Sequence, residues 1–105
     1  MEVIKPLVRK NVLDCKDVIS SLAGKRVMVS GVQVARRTTG TKHGETMAFL
    51  TIEDETALVE CVLFPKIYKQ FGFELRKFGP FLVKGKVSDD FGAVTLTVEG
   101  LASIT

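Results

Sequence analysis

Apolar and polar residues alternate with a period of two in five separate stretches of this chain, and a stretch with helical spacing falls between the third and the fourth. Such alternation puts apolar side chains on one face of a strand and polar ones on the other, so each strand needs a surface against which to bury one face. The first stretch begins at Arg26, with Val27 and Val29 on one face. Gly31 then intervenes, and alternation resumes in the other phase with Val32 and Val34. A glycine where the phase slips predicts a bulge or sharp bend in one long strand, and a sheet must bend in this way to close on itself. The segment TTGTKHGE, Thr38 to Glu45, holds two glycines and no apolar residue and reads as a loop. A second strand follows over about Thr46 to Glu53, with Ala48, Leu50 and Ile52 on one face and Met47, Phe49 and Thr51 on the other. EDET is a polar turn that Asp54 can close with its own side chain, and Leu58 to Phe64 is the third strand.

Pro65 stops that strand and suits a first helical position. Ile67, Phe71 and Leu75 recur every four residues, flanked by Tyr68 and Phe78, and Gly79-Pro80 ends the helix, with Gly72 as a weak point inside it. A fourth strand runs from about Phe81 to Val87, a turn falls at SDDFG, and a fifth strand runs from Ala93 to about Leu101. Upstream, Asp14 suits an N-cap, Leu13 and Val18 a hydrophobic staple, and Gly24 a left-handed stop, which predicts a short helix whose apolar face is Val18, Ile19 and Leu22. The chain thus divides into an entry segment, 1–24, and a β domain, 25–105. The layout is all-β: a five-stranded Greek-key OB barrel with a helix between strands three and four and a short N-terminal helix. An SH3-like barrel, the main competitor, has no helix of that length at that point.

The rest of the composition narrows function. A chain of 105 residues, 46% apolar, can bury one core without help from metal or disulfide. Cys15 and Cys61 lie far apart and, with the single His43, cannot supply the four ligands of a structural zinc site, so both read as reduced thiols. Glu53, Asp54 and Glu55 are adjacent in a turn and diverge. Neither a GxxxxGK[ST] phosphate loop nor a GxSxG elbow occurs. The expectation is a chain with no catalytic centre, metal or cofactor. MEVIKPLVRK carries charge where a signal peptide would be apolar, and no apolar run approaches about 18 residues, so a soluble, cytoplasmic chain without a membrane span is expected, a monomer when isolated as a domain.

A binding role has more support. The net charge of +3 permits a nucleic-acid partner. Arg36, Arg37 and Lys42 cluster at the end of strand one and in the loop after it, and Phe49 stands beside them on the polar face of strand two, between Met47 and Thr51. Single-strand binders combine a cationic groove with aromatic faces on which bases stack. Lys84 and Lys86 share one face of strand four, where they extend such a groove or protect a sheet edge.

Three blocks in order, GKRVMVSGVQVARRTTGTKHGETMAFLTIEDET, FPKIY and GPFLVKGKVSDDFG, resemble the OB domain near the C-terminus of the bacterial DNA polymerase III alpha subunit. The resemblance runs from Gly24 to Leu101. Ala57 departs from the family, which usually has glycine after EDET. The resemblance implies a piece of a replicative or error-prone polymerase, lying near the single-stranded DNA template and in reach of other replisome subunits. More distantly, AFLTIEDETALVEC is similar to strands two and three of the anticodon-binding OB domain of class II aminoacyl-tRNA synthetases. That likeness implies a base stacked on Phe49 and a base contact at Glu60, whose carboxylate can accept from an exocyclic amino group. A protein-binding OB module and a stand-alone or anticodon-type RNA binder remain open at this point.

Overall fold

The computed structural model describes residues 12–77, 80–90 and 92–104. Strands β1 (Arg26–Gly40), β2 (Thr46–Glu53), β3 (Leu58–Leu63), β4 (Phe81–Asp90) and β5 (Ala93–Ser103) close into a barrel in the order β1-β2-β3-β5-β4. Helix α1 (Pro65–Phe71) follows β3, and at Gly72 it gives way to a 3-10 turn over Gly72–Arg76. This is the OB layout that the alternation predicts. Gly79, expected to end the helix, lies outside the described residues, as does Phe91 of the SDDFG turn.

Closure depends on β1, which belongs to both halves of the barrel. Arg26 to Gly31 pair with Lys86 to Phe81 of β4, and from Val32 onward the strand pairs with β2. At the change of partner the backbones nearly touch: a Cβ on Gly31 would stand 2.7 Å from the carbonyl oxygen of Glu53. Gly31 therefore permits the crossing, whereas the register shift comes later. Gln33 faces Ile52 and Ala35 faces Thr51, so Val34 is the extra residue. The expected second apolar phase is also revised. Val32 and Val34 are 42% and 47% exposed, because they point outward while Val29 and Gly31 are buried.

The core follows the alternation elsewhere. Ala48, Leu50 and Ile52 of β2, Cys61 and Leu63 of β3, Phe81 and Val83 of β4, and Leu96 of β5 are fully buried, each large aliphatic one worth about 1.5–3 kcal/mol. Leu75 joins them from the 3-10 turn, with Ile67, Tyr68 and Phe71 packed alongside. The ring is completed by a parallel pairing of β3 with β5 that has only two rungs, Cys61 to Leu96 and Val62 to Thr97. The β1–β2 loop is shorter than expected, since Thr38, Thr39 and Gly40 pair with β2. It closes with the Thr41 N–H donating to the Glu45 carbonyl at 2.7 Å and with Gly44 at a left-handed φ of 77°.

The expected N-terminal α-helix is instead two 3-10 turns, Cys15–Asp17 and Ser20–Leu22, and the Asp14 side chain makes no capping bond. The barrel takes the donors that a helix start leaves open. The Leu13 N–H donates to the Met28 carbonyl at 2.8 Å, and the Cys15 N–H donates to Asp54 Oδ2 at 2.8 Å. Asp54 also closes its own turn, its Oδ1 accepting from the Thr56 N–H, the Thr56 hydroxyl and the Ala57 N–H at 2.7, 2.6 and 3.1 Å. With the Asp54 N–H donating to the Ala57 carbonyl, the turn forms with alanine at position 57. Burial pushes the Asp54 carboxyl up, but these accepted hydrogen bonds outweigh it and hold the group well below the usual carboxylate range. Both thiols are buried; burial, reinforced by nearby Asp54, pushes Cys15 up to about 12 and burial pushes Cys61 higher still, so neither is a nucleophile at neutral pH.

Two outcomes are expected. Gly31→Ala should destabilise the barrel by about 1–3 kcal/mol in urea unfolding, as overpacking against fixed backbone does. Asp54→Asn should cost about 1–2 kcal/mol at pH 7. The native carboxyl is depressed, so its contribution is complete above the unfolded pKa of about 3.9 and is lost progressively as pH falls from there through the lower native value. Unfolding curves of the two proteins should therefore begin to converge below about pH 4 and keep converging as the native carboxyl is protonated at still lower pH.

Candidate nucleic-acid interface

Directly opposed residues on antiparallel strands share a face, so the register fixes which side chains meet. Ala48, Leu50 and Ile52 fill the barrel, which turns Met47, Phe49 and Thr51 outward. Three rows result on the outer wall of β1, β2 and β3: Thr39 beside Met47, then Arg37–Phe49–Val62, then Ala35–Thr51–Glu60. In the middle row the Arg37 guanidinium carbon lies 4.5 Å from the centre of the half-buried Phe49 ring, a cation–π contact. In the row beside it, Thr51 Oγ1 donates to Glu60 Oε2 at 3.2 Å, which steadies an exposed carboxylate near the aromatic platform.

The three cations grouped in the sequence part company here. Arg36 shares the inward phase with Leu50, and its guanidinium donates to the Leu75 carbonyl at 3.2 Å. Gln33, also in the inward phase, donates to the carbonyls of Leu75 and Lys77 at 3.0 and 3.2 Å. Nothing in the sequence marks Gln33, whose role depends wholly on what packs beneath it. The bulge at Val34 decides this arrangement: a slip of one residue reverses every side chain beyond it, so without the extra residue Arg36 would lie over Phe49. Lys42 is exposed in the loop, beyond the rows.

Lys84 and Lys86 stand apart, opposite Met28 and Arg26 on the other half of β1. Their strand is paired on both sides, so they guard no sheet edge. Arg26 in that patch is paired with Glu99 at 3.1 Å. Among the described residues no three His, Cys, Asp or Glu side chains come together as metal ligands, and no helix is long and apolar enough to cross a membrane. What the β1–β3 face offers is an aromatic surface, one guanidinium and one carboxylate.

Residues 26–104 match the family described as the OB-fold nucleic acid binding domain. The chain belongs to that family. Among curated proteins it is 31% identical over 97 residues to the error-prone DNA polymerase of Symbiobacterium thermophilum, covering 90% of this chain and 9% of the polymerase. It is 41% identical over 71 residues to that of Ruegeria pomeroyi, covering 68% of this chain and 6% of the polymerase. The chain thus spans less than a tenth of the curated relatives it matches. Among solved structures, asparaginyl-tRNA synthetase from Pyrococcus horikoshii superposes with a TM-score of 0.73 at 27% identity, over 89% of this chain and 23% of the synthetase. A domain of replication protein A from Methanococcus maripaludis does so at 0.71 and 15% identity, over 89% and 94%, a likeness of fold.

The split between the two arginines is measurable. Arg36→Ala should lower stability by about 0.5–1.5 kcal/mol through loss of its bond to the Leu75 carbonyl, whereas Arg37→Ala should leave chemical unfolding within about 0.5 kcal/mol of the parent domain.

Proposed function

We propose that this domain holds single-stranded DNA against the outer face of β1, β2 and β3, and that it does so as a non-catalytic segment of a bacterial DNA polymerase of the III alpha type, close to the template strand and in contact with other replisome subunits in the cytoplasm. The observation that carries the reading is the Arg37–Phe49 stack beside the Thr51–Glu60 pair. A base laid on Phe49 would lie within reach of both a cation and a carboxylate acceptor. Stacking is tolerant of sequence, since every base has a π face, and the single guanidinium over the ring limits the phosphate contribution. Glu60 accepts from the amino group of adenine, cytosine or guanine, which thymine lacks. Lys42 meets phosphates from the loop, and Met47 extends the apolar surface past Phe49. Arg36 supports the hairpin from below. Lys84 and Lys86 add general positive potential from the far half of β1.

The same surface suits RNA, and the 27% identity to the Pyrococcus synthetase gives that second reading its own support. Fluorescence titration of DNA and RNA oligonucleotides at two salt concentrations separates them. The domain should bind single strands weakly, at tens of micromolar or above, prefer DNA strands to RNA strands and to blunt duplex, and lose affinity as salt rises because counterions are released. Phe49→Ala should weaken binding about five- to a hundred-fold, the worth of one stacked base. Its cost in stability should stay well under the roughly 3–5 kcal/mol of a core phenylalanine. Affinity unchanged by this substitution would remove Phe49 from the interface, and a preference for RNA would favour the anticodon-type reading.

A further inference from the structure

We infer that the exposed face of α1 and the 3-10 turn after it is a second contact surface for the same single strand, on the side of the β1–β2 hairpin opposite Phe49. The inference rests on the proposed single-strand binding and extends it to residues that the Phe49 face does not include. Residues 65–77 hold four cations, Lys66, Lys69, Arg76 and Lys77, against one acid, Glu74. That excess of three equals the net charge of the whole chain. Glu74 is already paired with Lys77 at 3.3 Å.

The charge is also sorted by side. Leu75 is buried and Ile67, Tyr68 and Phe71 are half-buried against the barrel, whereas Lys66, Lys69, Phe73 and Arg76 are all exposed. These four follow one another at steps of three, four and three residues, which keeps them on one face of a helical segment. Phe73 is 67% exposed, more than any other large apolar side chain among the described residues. The Arg76 guanidinium carbon lies 5.2 Å from the centre of its ring. This is the combination found on the β1–β3 face, an open aromatic ring with a guanidinium on it, here with more positive charge around it.

An open cleft joins this surface to β1. Gln33, Val34 and Arg36 line one side of it and Leu75, Arg76 and Lys77 the other. Adjacent arginines on β1 therefore serve two surfaces: Arg37 faces Phe49, and Arg36 faces the cleft bordered by Arg76, whose guanidinium lies over Phe73. The occupant is a polyanion with flat apolar groups, which is the chemistry of a single-stranded nucleic acid. A protein partner with an acidic, aromatic-rich segment is the rival that the test must separate.

The decisive comparison is between strands too short and strands long enough to reach both surfaces, about six and about twenty nucleotides. Phe73→Ala and Arg76→Gln should weaken twenty-nucleotide binding about five-fold or more and six-nucleotide binding, which the Phe49 face still supports, by clearly less, and Arg76→Gln should lower the salt slope of the long strand by nearly one unit. Phe49→Ala should weaken both lengths. Thermal melting should match the parent domain for both new variants, because neither side chain is buried. Long-strand affinity unchanged by both substitutions overturns the inference while leaving the Phe49 face intact, and assigns the cationic face to a protein. Equal weakening of short and long strands also overturns it, since the two surfaces would not be separate. Failure of the parent domain to bind either length overturns the inference together with the function on which it rests.

Discussion

A single strand that must serve two neighbours sets the terms for the rest of this barrel. β1 leaves β4 and joins β2 within one residue, at the point where its backbone passes Glu53 too closely for any side chain larger than hydrogen. Without that crossing the run β2-β3-β5-β4 has two open edges and the interior has no closed wall. The extra residue at Val34 then fixes the phase of everything beyond it. Pairing at this one stretch decides which side of the hairpin is aromatic and which is tied to the helical connection.

That dependence explains how much of the molecule was legible in the sequence. The strands, the helix after β3 and the outward position of Phe49 follow from a local rule, since Ala48 and Leu50 are buried and their neighbour must point away. The turn at Asp54 was legible for the same reason: three of its accepted bonds come from residues within three positions. The directions of Arg36 and Arg37 were not. A phase slip can be noticed in a sequence, but the residue that bulges out is chosen by pairing across the sheet. Gly31 looked like the bulge because glycine serves both bulges and close approaches; here it serves the second.

The entry segment failed for a related reason. Its caps and staple are sound local signals for a helix, yet the donors of Leu13 and Cys15 are worth more to the barrel than to a lone turn of helix. A short helix is marginal unless packing supports it, and the competing partners were thirty-nine positions away in the case of Cys15. The cationic stripe on the helical connection was, by contrast, present in the sequence. Ile67, Phe71 and Leu75 mark the buried face, and reading the opposite positions in the same way yields Lys66, Lys69, Phe73 and Arg76.

The barrel is a ring fastened by a clasp. Its other seams are antiparallel ladders of six or more paired positions, but β3 meets β5 through two rungs only. One of those rungs is Val62, the neighbour of Phe49 in the row that carries the cation–π stack. The face proposed to receive a nucleic-acid strand therefore borders the least redundant join in the wall. The shape of that face depends on a join held by two paired positions, and a change at Val62 alters the wall and the face together.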